Sequence, residues 1–237
     1  MPRQDPASHP AVRSGDAARL IRDNTRLLRA PLVPELVLHL AEQSLPIWRR
    51  TEEELGEQGV PPPYWAFAWA GGQALARYIL DNPGFVAGRT ALDIGSGSGL
   101  VALAAAMAGA SHVIANDIDA FACEACRLNA AANALALEIS SEDILSRAAD
   151  DRQDEPPPHA AGVVTLADVF YERDLARAAT MTAEAHHKLG ATVLVGDPCR
   201  SYFPSDRFEM IADYRVPVTR ELEDSEIKAT AVWRLVD

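Results

Sequence analysis

The chain has 237 residues, room for one large α/β domain and a small extension, and its make-up of 48% hydrophobic and 24% charged residues is that of a globular protein. A formal net charge of −12 argues against nucleic acid or an anionic membrane as partner, because both are held through clustered Lys and Arg. Three cysteines, no apolar run of membrane-spanning length and no signal-peptide core after Met1 point to a soluble, cytoplasmic protein, and 20 Arg against 2 Lys is the usage of a GC-rich bacterial genome.

Residues 1–13 hold three prolines and read as a frayed terminus. With Ser14 or Asp16 as cap, Ala17, Leu20, Ile21, Asn24, Leu27 and Leu28 recur at helical spacing, which predicts one helix stopped by Pro31. Leu32 to Leu40 reads as a short strand or an extended segment, and Ser44 to Leu55 as another short helix. Residues 1–60 are therefore expected to form a helical extension packed on a core domain that spans 61–237. Pro61-Pro62-Pro63 forces an extended entry into Tyr64-Trp65-Ala66-Phe67-Ala68-Trp69, four aromatics within six residues. These form either a hydrophobic staple under a helix at Gln73 to Leu80 or the wall of a ligand site.

From Arg89 onward strands and helices alternate: strand 89–94, helix 98–108, strand 112–117, helix 119–133, strand 136–140, strand 162–167, helix 171–188 and strand 191–196. Alternation of this kind needs right-handed crossovers with helices on both faces, so the fold class is α/β, a doubly wound and mostly parallel sheet. The acidic, Pro-rich span Ala148 to Ala161 reads as a solvated loop. Phe208 to Val216 and Ile227 to Val236 have no helix between them and predict a closing antiparallel hairpin.

The chemistry gathers at the ends of these strands. The first ends in Asp93-Ile94-Gly95-Ser96-Gly97-Ser98-Gly99, a turn in which glycines let a ligand approach the main chain while the next helix offers free N–H groups. A dinucleotide fingerprint needs its third glycine where Leu100 stands, so the nicotinamide pattern is not met. Asp117, 22 residues beyond Gly95, is placed to accept hydrogen bonds from both hydroxyls of a ribose, and Asp119 to cap the helix that follows. Asp143 can accept an adenine amino group or be an exposed turn acid. Asp168 ends strand four, where it either faces the reaction crevice or caps the next helix. Cys123-x-x-Cys126 falls within a helical pattern with no second pair and no nearby His, and reads as two buried thiols with no metal.

Taken together these residues resemble the lysine methyltransferases of the electron transfer flavoprotein beta subunit, within the seven-stranded protein methyltransferases that use S-adenosylmethionine. The likeness spans about Val33 to Trp233. It rests on Pro63-Tyr64-Trp65 with Trp69-x-Gly71-Gly72-Gln73-Ala74-Leu75, on Asp93-x-Gly95-x-Gly97-x-Gly99, on Asn116-Asp117-Ile118-Asp119, on Asp168-Val169-Phe170-Tyr171 and on Gly196-Asp197-Pro198. The resemblance implies a seven-stranded, Rossmann-like class I fold with S-adenosylmethionine held by Trp69, Asp93, Gly95, Gly97, Gly99, Asp117, Ile118, Asp143 and Asp168. It implies catalysis by Asp168 and Tyr171, and a substrate side made of Trp65, Asp168 and Tyr171. The partner it implies is a protein with an exposed, basic, lysine-containing segment, the electron transfer flavoprotein beta subunit. Two features depart from the family pattern: Ala70, where proline often follows the tryptophan, and the insert at 148–161. The alternatives are a ribosomal-protein lysine methyltransferase, which shares the helix around Asn129 and Asn133 but carries an Asn-led motif after strand four; a nucleotide-dependent oxidoreductase; and a non-catalytic methyltransferase-like subunit. Leu100 weighs against the oxidoreductase, and retention of Asp93, Asp117 and Asp168 against the non-catalytic subunit.

Overall fold

The structure, a computed structural model, describes residues 14–42, 63–149, 157–218 and 226–236. Helix α1 (Ser14–Asn24) is followed by strands β1 (Arg26–Ala30) and β2 (Val33–Leu40), then by α2 (Ala70–Asp81). The alternating part runs β3 (Thr90–Ile94), α3 (Leu100–Met107), β4 (His112–Asn116), α4 (Ala120–Ala132), β5 (Glu138–Ser140), α5 (Ile144–Ala149), β6 (Val163–Ala167), α6 (Arg173–Lys188) and β7 (Thr192–Asp197), and the hairpin β8 (Phe208–Pro217) and β9 (Ile227–Leu235) closes it. Seven strands form one sheet in the order β5-β4-β3-β6-β7-β9-β8. The first five are parallel and β8 and β9 form an antiparallel hairpin, as the sequence pattern predicts; β9 also pairs antiparallel with β7.

A parallel sheet must be covered on both faces, and here it is. One face packs under α2 and α3 through Leu75, Ile79, Val101 and Leu103, and the other under α6 through Phe170, Ala179 and Ala183. Among the described residues no helix is long and apolar enough to cross a membrane.

The N-terminal part differs from expectation. The stripe that reads as one helix up to Pro31 is a helix only as far as Asn24, and Leu27 and Leu28 lie in β1, paired antiparallel with β2. Asn24 Nδ2 donates to Leu20 O and Thr25 Oγ1 donates to Ile21 O, so local side-chain bonds compete with the next helical turn and end it. In β2, Leu36, Leu38 and Leu40 alternate inward onto the core. Asn129 of α4 and Asn133, its C-cap, fix this strand in place. Asn133 accepts from Val37 N (2.9 Å) and donates to Val37 O (2.7 Å), while Asn129, fully buried, accepts from His39 N (2.7 Å) and donates to Ser98 O (2.8 Å). Asn129 thereby links the hairpin to the glycine turn. The expected terminus at 1–13, the helix at 44–55 and the 60/61 boundary lie outside the described residues. The loop expected from Ala148 is helical at its start, in α5, and residues 150–156 are outside the described set.

Candidate active site

Strand order reverses between β3 and β6, since β4 and β5 lie to one side and β7 to the other; in open α/β sheets the ligand crevice opens beyond the strand ends at this point. At the end of β3, Gly95, Gly97 and Gly99 all have left-handed φ, +70°, +53° and +78°. Their missing side chains do different things. A Cβ on Gly95 would press on Val169 Cγ1 and one on Gly99 on Cys126 Sγ, each at 3.0 Å, whereas one on Gly97 would meet nothing closer than Trp65 Cα, at an ordinary contact distance of 3.9 Å. The uncrowded main chain at Gly97 is where a ligand can approach.

Asp117, just past β4, borders it. Its Oδ2 accepts from Gly97 N (2.9 Å) and its Oδ1 from Asp119 N (3.0 Å); burial raises its pKa and the two N–H bonds oppose the rise. Ile118 beside it is an apolar side chain that is 69% exposed. Below the turn, Asp93 is 3% exposed, accepts from Thr165 Oγ1 at 2.8 Å, and leaves Oδ2 without a partner; burial pushes its pKa up to about 7. Asp119 caps α4 through Phe121 N. Asp143 is exposed and accepts from Ser146 N and Oγ (3.0 and 2.5 Å), which makes it the turn acid that caps α5.

The second half of the crevice is built around Asp168. It has φ +57°, a conformation in which a residue with a Cβ carries strain of about 1–3 kcal/mol, and such strain clusters at functional sites. Its Oδ2 accepts from Gly72 N (2.9 Å), in the first turn of α2, and its Oδ1 from Arg200 Nε (3.1 Å) and Nη2 (2.6 Å). It does not cap α6, whose N-cap is Glu172. Gly71 makes the approach possible: a Cβ there would collide with Gly196 O and Asp168 Oδ2. Ala70 opens α2 fully buried behind Trp69. Tyr64, Trp69 and Tyr171 form the mouth, with ring centroids 6.2 Å apart for Tyr64–Trp69 and 5.9 Å for Tyr64–Tyr171. The Arg200 guanidinium lies 5.8 Å from the Trp69 ring centroid. Burial, with Tyr64 close by, pushes the Tyr171 hydroxyl up to about 12, so it stays protonated at neutral pH.

One assignment moves. Trp65 is 3% exposed and stacked on Phe121 at 6.4 Å, in a cluster with Ala17 and Ile21, so its ring is core and offers no face to a substrate. Tyr64, its neighbour, is the exposed ring. Sequence reasoning missed Arg200 and the N–H of Gly72. The available signal for Arg200 was its place three residues after Asp197, in a Pro-containing turn at the end of a strand beside the switch point. Cys123 and Cys126 are free and buried with their thiols pushed up, Cys123 to about 11, and among the described residues no three side chains assemble a metal site.

The sheet order, the glycine cradle and the acid one strand over define an S-adenosylmethionine-dependent methyltransferase of the seven-stranded class. The profile of the ribosomal protein L11 methyltransferase family matches residues 74–156. The crystal structure of the ribosomal protein L11 methylase of Lactobacillus delbrueckii subsp. bulgaricus shares the fold, with a TM-score of 0.52 and 18% identity over 88% of this chain and all of that one. The methyltransferase SMU.776, solved with S-adenosylhomocysteine, gives 0.50 and 12% over 70% of this chain and 50% of its own. The electron transfer flavoprotein beta subunit lysine methyltransferase of Xenopus laevis is 36% identical over 219 residues, 90% of this chain and 84% of that protein. The chain belongs to this family of lysine methyltransferases.

Proposed function

We propose that this chain transfers a methyl group from S-adenosylmethionine to the Nζ of a lysine in the electron transfer flavoprotein beta subunit. The observation that carries the reading is the 36% identity, along nine-tenths of the chain, to a protein named for that activity. The arrangement of Asp168 and Tyr171 at an aromatic mouth supports it from the side of the site.

The residues fit the cofactor. Asp117 takes the ribose hydroxyls, Ile118 lies against the adenine, Gly97 leaves room for the nucleoside, Gly95 and Gly99 hold the turn, and Trp69 and Asp168 border the methionine end. Asp93 holds the turn from below through its buried carboxyl, and Asp143 stands at the adenine edge only if it leaves Ser146. Bound there, S-adenosylmethionine supplies an electrophilic sulfonium methyl. The chain's own task is to aim an amine along the line of that bond and exclude water. A lysine at its reference pKa near 10.4 must also lose a proton, a cost of about 4.6 kcal/mol at pH 7. Asp168 holds the amine by its N–H, and Tyr64, Trp69 and Tyr171 wall the approach. The net charge of −12 steers a basic segment toward the enzyme, and turnover falls as salt rises. Three free thiols fit the reducing cytoplasm as the compartment.

Incubation with labelled S-adenosylmethionine, the purified beta subunit and ribosomal protein L11, followed by peptide mass spectrometry, tests the assignment. Methyl-lysine on the beta subunit with L11 unmodified is expected. Label on L11 alone would move the substrate to the ribosome and leave the methyltransferase standing.

A further inference from the structure

The amine-holding group presents a chemical difficulty that the geometry resolves. A lone carboxylate next to a lysine stabilises the ammonium, which has no lone pair to attack with, and raises the pKa that must be overcome. Asp168 is not alone. Arg200 donates to its Oδ1 from both Nε and Nη2, with both side chains mostly out of solvent at 19% and 10% exposure. Low local dielectric makes this pairing, and its effect on a third charge, stronger than at an open surface.

Arg200 is itself held at three points, one on its backbone and two on its guanidinium. Asp197, fully buried at the end of β7, accepts from the Arg200 backbone N–H at 2.7 Å; Asp168 takes the head group; Trp69 lies beneath it. The turn from Asp197 to Arg200 includes Cys199 at φ +60°, a strained residue that aims the arginine back at the crevice.

We propose that Arg200 is a positioning residue that selects the neutral amine: it cancels the charge of Asp168, so the carboxylate can hold the target lysine by an N–H without holding it as an ammonium. The proposal rests on the lysine-methylating reading above and adds the residue that makes that reading chemically workable. An incoming ammonium meets the Arg200 cation and is repelled, while an incoming amine can share a carboxylate oxygen, since such an oxygen accepts more than one hydrogen bond. Among the described residues, the charged or titratable groups around the pair include Asp197 on β7, Cys199 in its turn, Asp117 past β4, Tyr64 ahead of α2, and Tyr171 and Glu172 ahead of α6. Of these, Tyr171 is neutral near pH 8, Asp117 is committed to Gly97 and Asp119, and Arg200 places a cation directly on Asp168.

Arg200→Gln removes the charge and Arg200→Lys keeps it. The rising limb of the rate against pH, measured on the beta subunit with saturating S-adenosylmethionine, is expected to move up by about one unit or more in Arg200→Gln and to stay near wild type in Arg200→Lys. Calorimetry in buffers of different ionisation enthalpy reads the same effect without turnover: with S-adenosylhomocysteine bound, the wild type releases close to one proton on taking up the beta subunit near pH 8, and Arg200→Gln releases fewer. A third readout needs no substrate at all. The side-chain carboxyl carbon signal of Asp168, followed by NMR through an acid titration, moves to higher pH in Arg200→Gln. Coincident titrations would show that Arg200 does not neutralise Asp168 and would overturn the proposal, as would coincident rate profiles. A wild type that leaves the beta subunit unmethylated contradicts the function proposed above, and the substrate-free titration then decides the role of Arg200 by itself.

Discussion

The two halves of the crevice are built on different principles. The nucleoside half is nearly local in sequence and mostly backbone: three glycines in one turn, with one acid from just past the next strand accepting from Gly97 N. The transfer half is assembled from distant chain. Gly72 lies 96 residues before Asp168, and Arg200 32 residues after it. The first needs only the right residues in a row, whereas the second needs the fold to be complete, so the transfer half should be the more easily lost through packing and the nucleoside half through single contacts.

The largest effect is expected at Gly71. Gly71→Ala places a methyl group against Gly196 O, backbone that cannot move aside, and against the Asp168 carboxylate, and should cost about 3 kcal/mol or more or prevent folding, as read by denaturant melts. Gly97→Ala sharpens the contrast. Its Cβ meets only Trp65 Cα, at an ordinary 3.9 Å, so the variant folds with about 1–2 kcal/mol of backbone strain and loses cofactor affinity instead. Next in size is Asp117→Ala, which removes charge-assisted bonds to the ribose and should weaken S-adenosylmethionine binding by about 2–4 kcal/mol in calorimetry. Melting temperatures close to wild type would confirm that the loss is one of contact.

A smaller effect lies outside both halves and serves as a control. His186, 1% exposed in α6 with Nε2 unpartnered, has its pKa lowered from 6.5 to about 4 by burial and by His159. The unfolded chain binds the proton more readily, so this group's contribution is complete above pH 6.5 and is lost as pH falls toward 4, up to about 3 kcal/mol. Asp93 and Asp197 have the opposite sign: burial raises both from 3.8 to about 7, so their contribution is lost as pH rises through that window. The difference between the stability curves of wild type and His186→Gln, from denaturant melts at each pH, isolates the histidine. A difference that does not change between pH 7 and 4.5 would contradict it.

How much of this is visible before folding follows the same division. Strands buried on both faces must be apolar runs, so β3, β4, β6 and β7 stand out in sequence, and a turn that needs left-handed φ three times must write its glycines there. β1 was hidden because Leu27 and Leu28 continue the spacing of α1, and only the side chains of Asn24 and Thr25 decide where that helix stops. Trp65 and Tyr64 were equally plausible as walls. A single 3-10 turn, Tyr64–Ala66, sends one ring to the core and the other to the mouth, and composition carries no sign of which. For Arg200 the only local sign was its place three residues after Asp197, because its partner Asp168 is fixed by the strand order and by no local pattern.

The division of labour itself is tested most directly by measuring S-adenosylmethionine affinity and single-turnover methyl transfer in Asp168→Asn beside Asp117→Ala, on the same folded protein. Asp168→Asn keeps the shape and deletes the charge that holds the amine. The account predicts that it binds S-adenosylmethionine within about threefold of wild type while transfer from the bound cofactor falls at least about a hundredfold, and that Asp117→Ala shows the reverse pattern once cofactor is saturating. A defect in Asp168→Asn that lies wholly in cofactor affinity, or transfer at the wild-type rate, would contradict it.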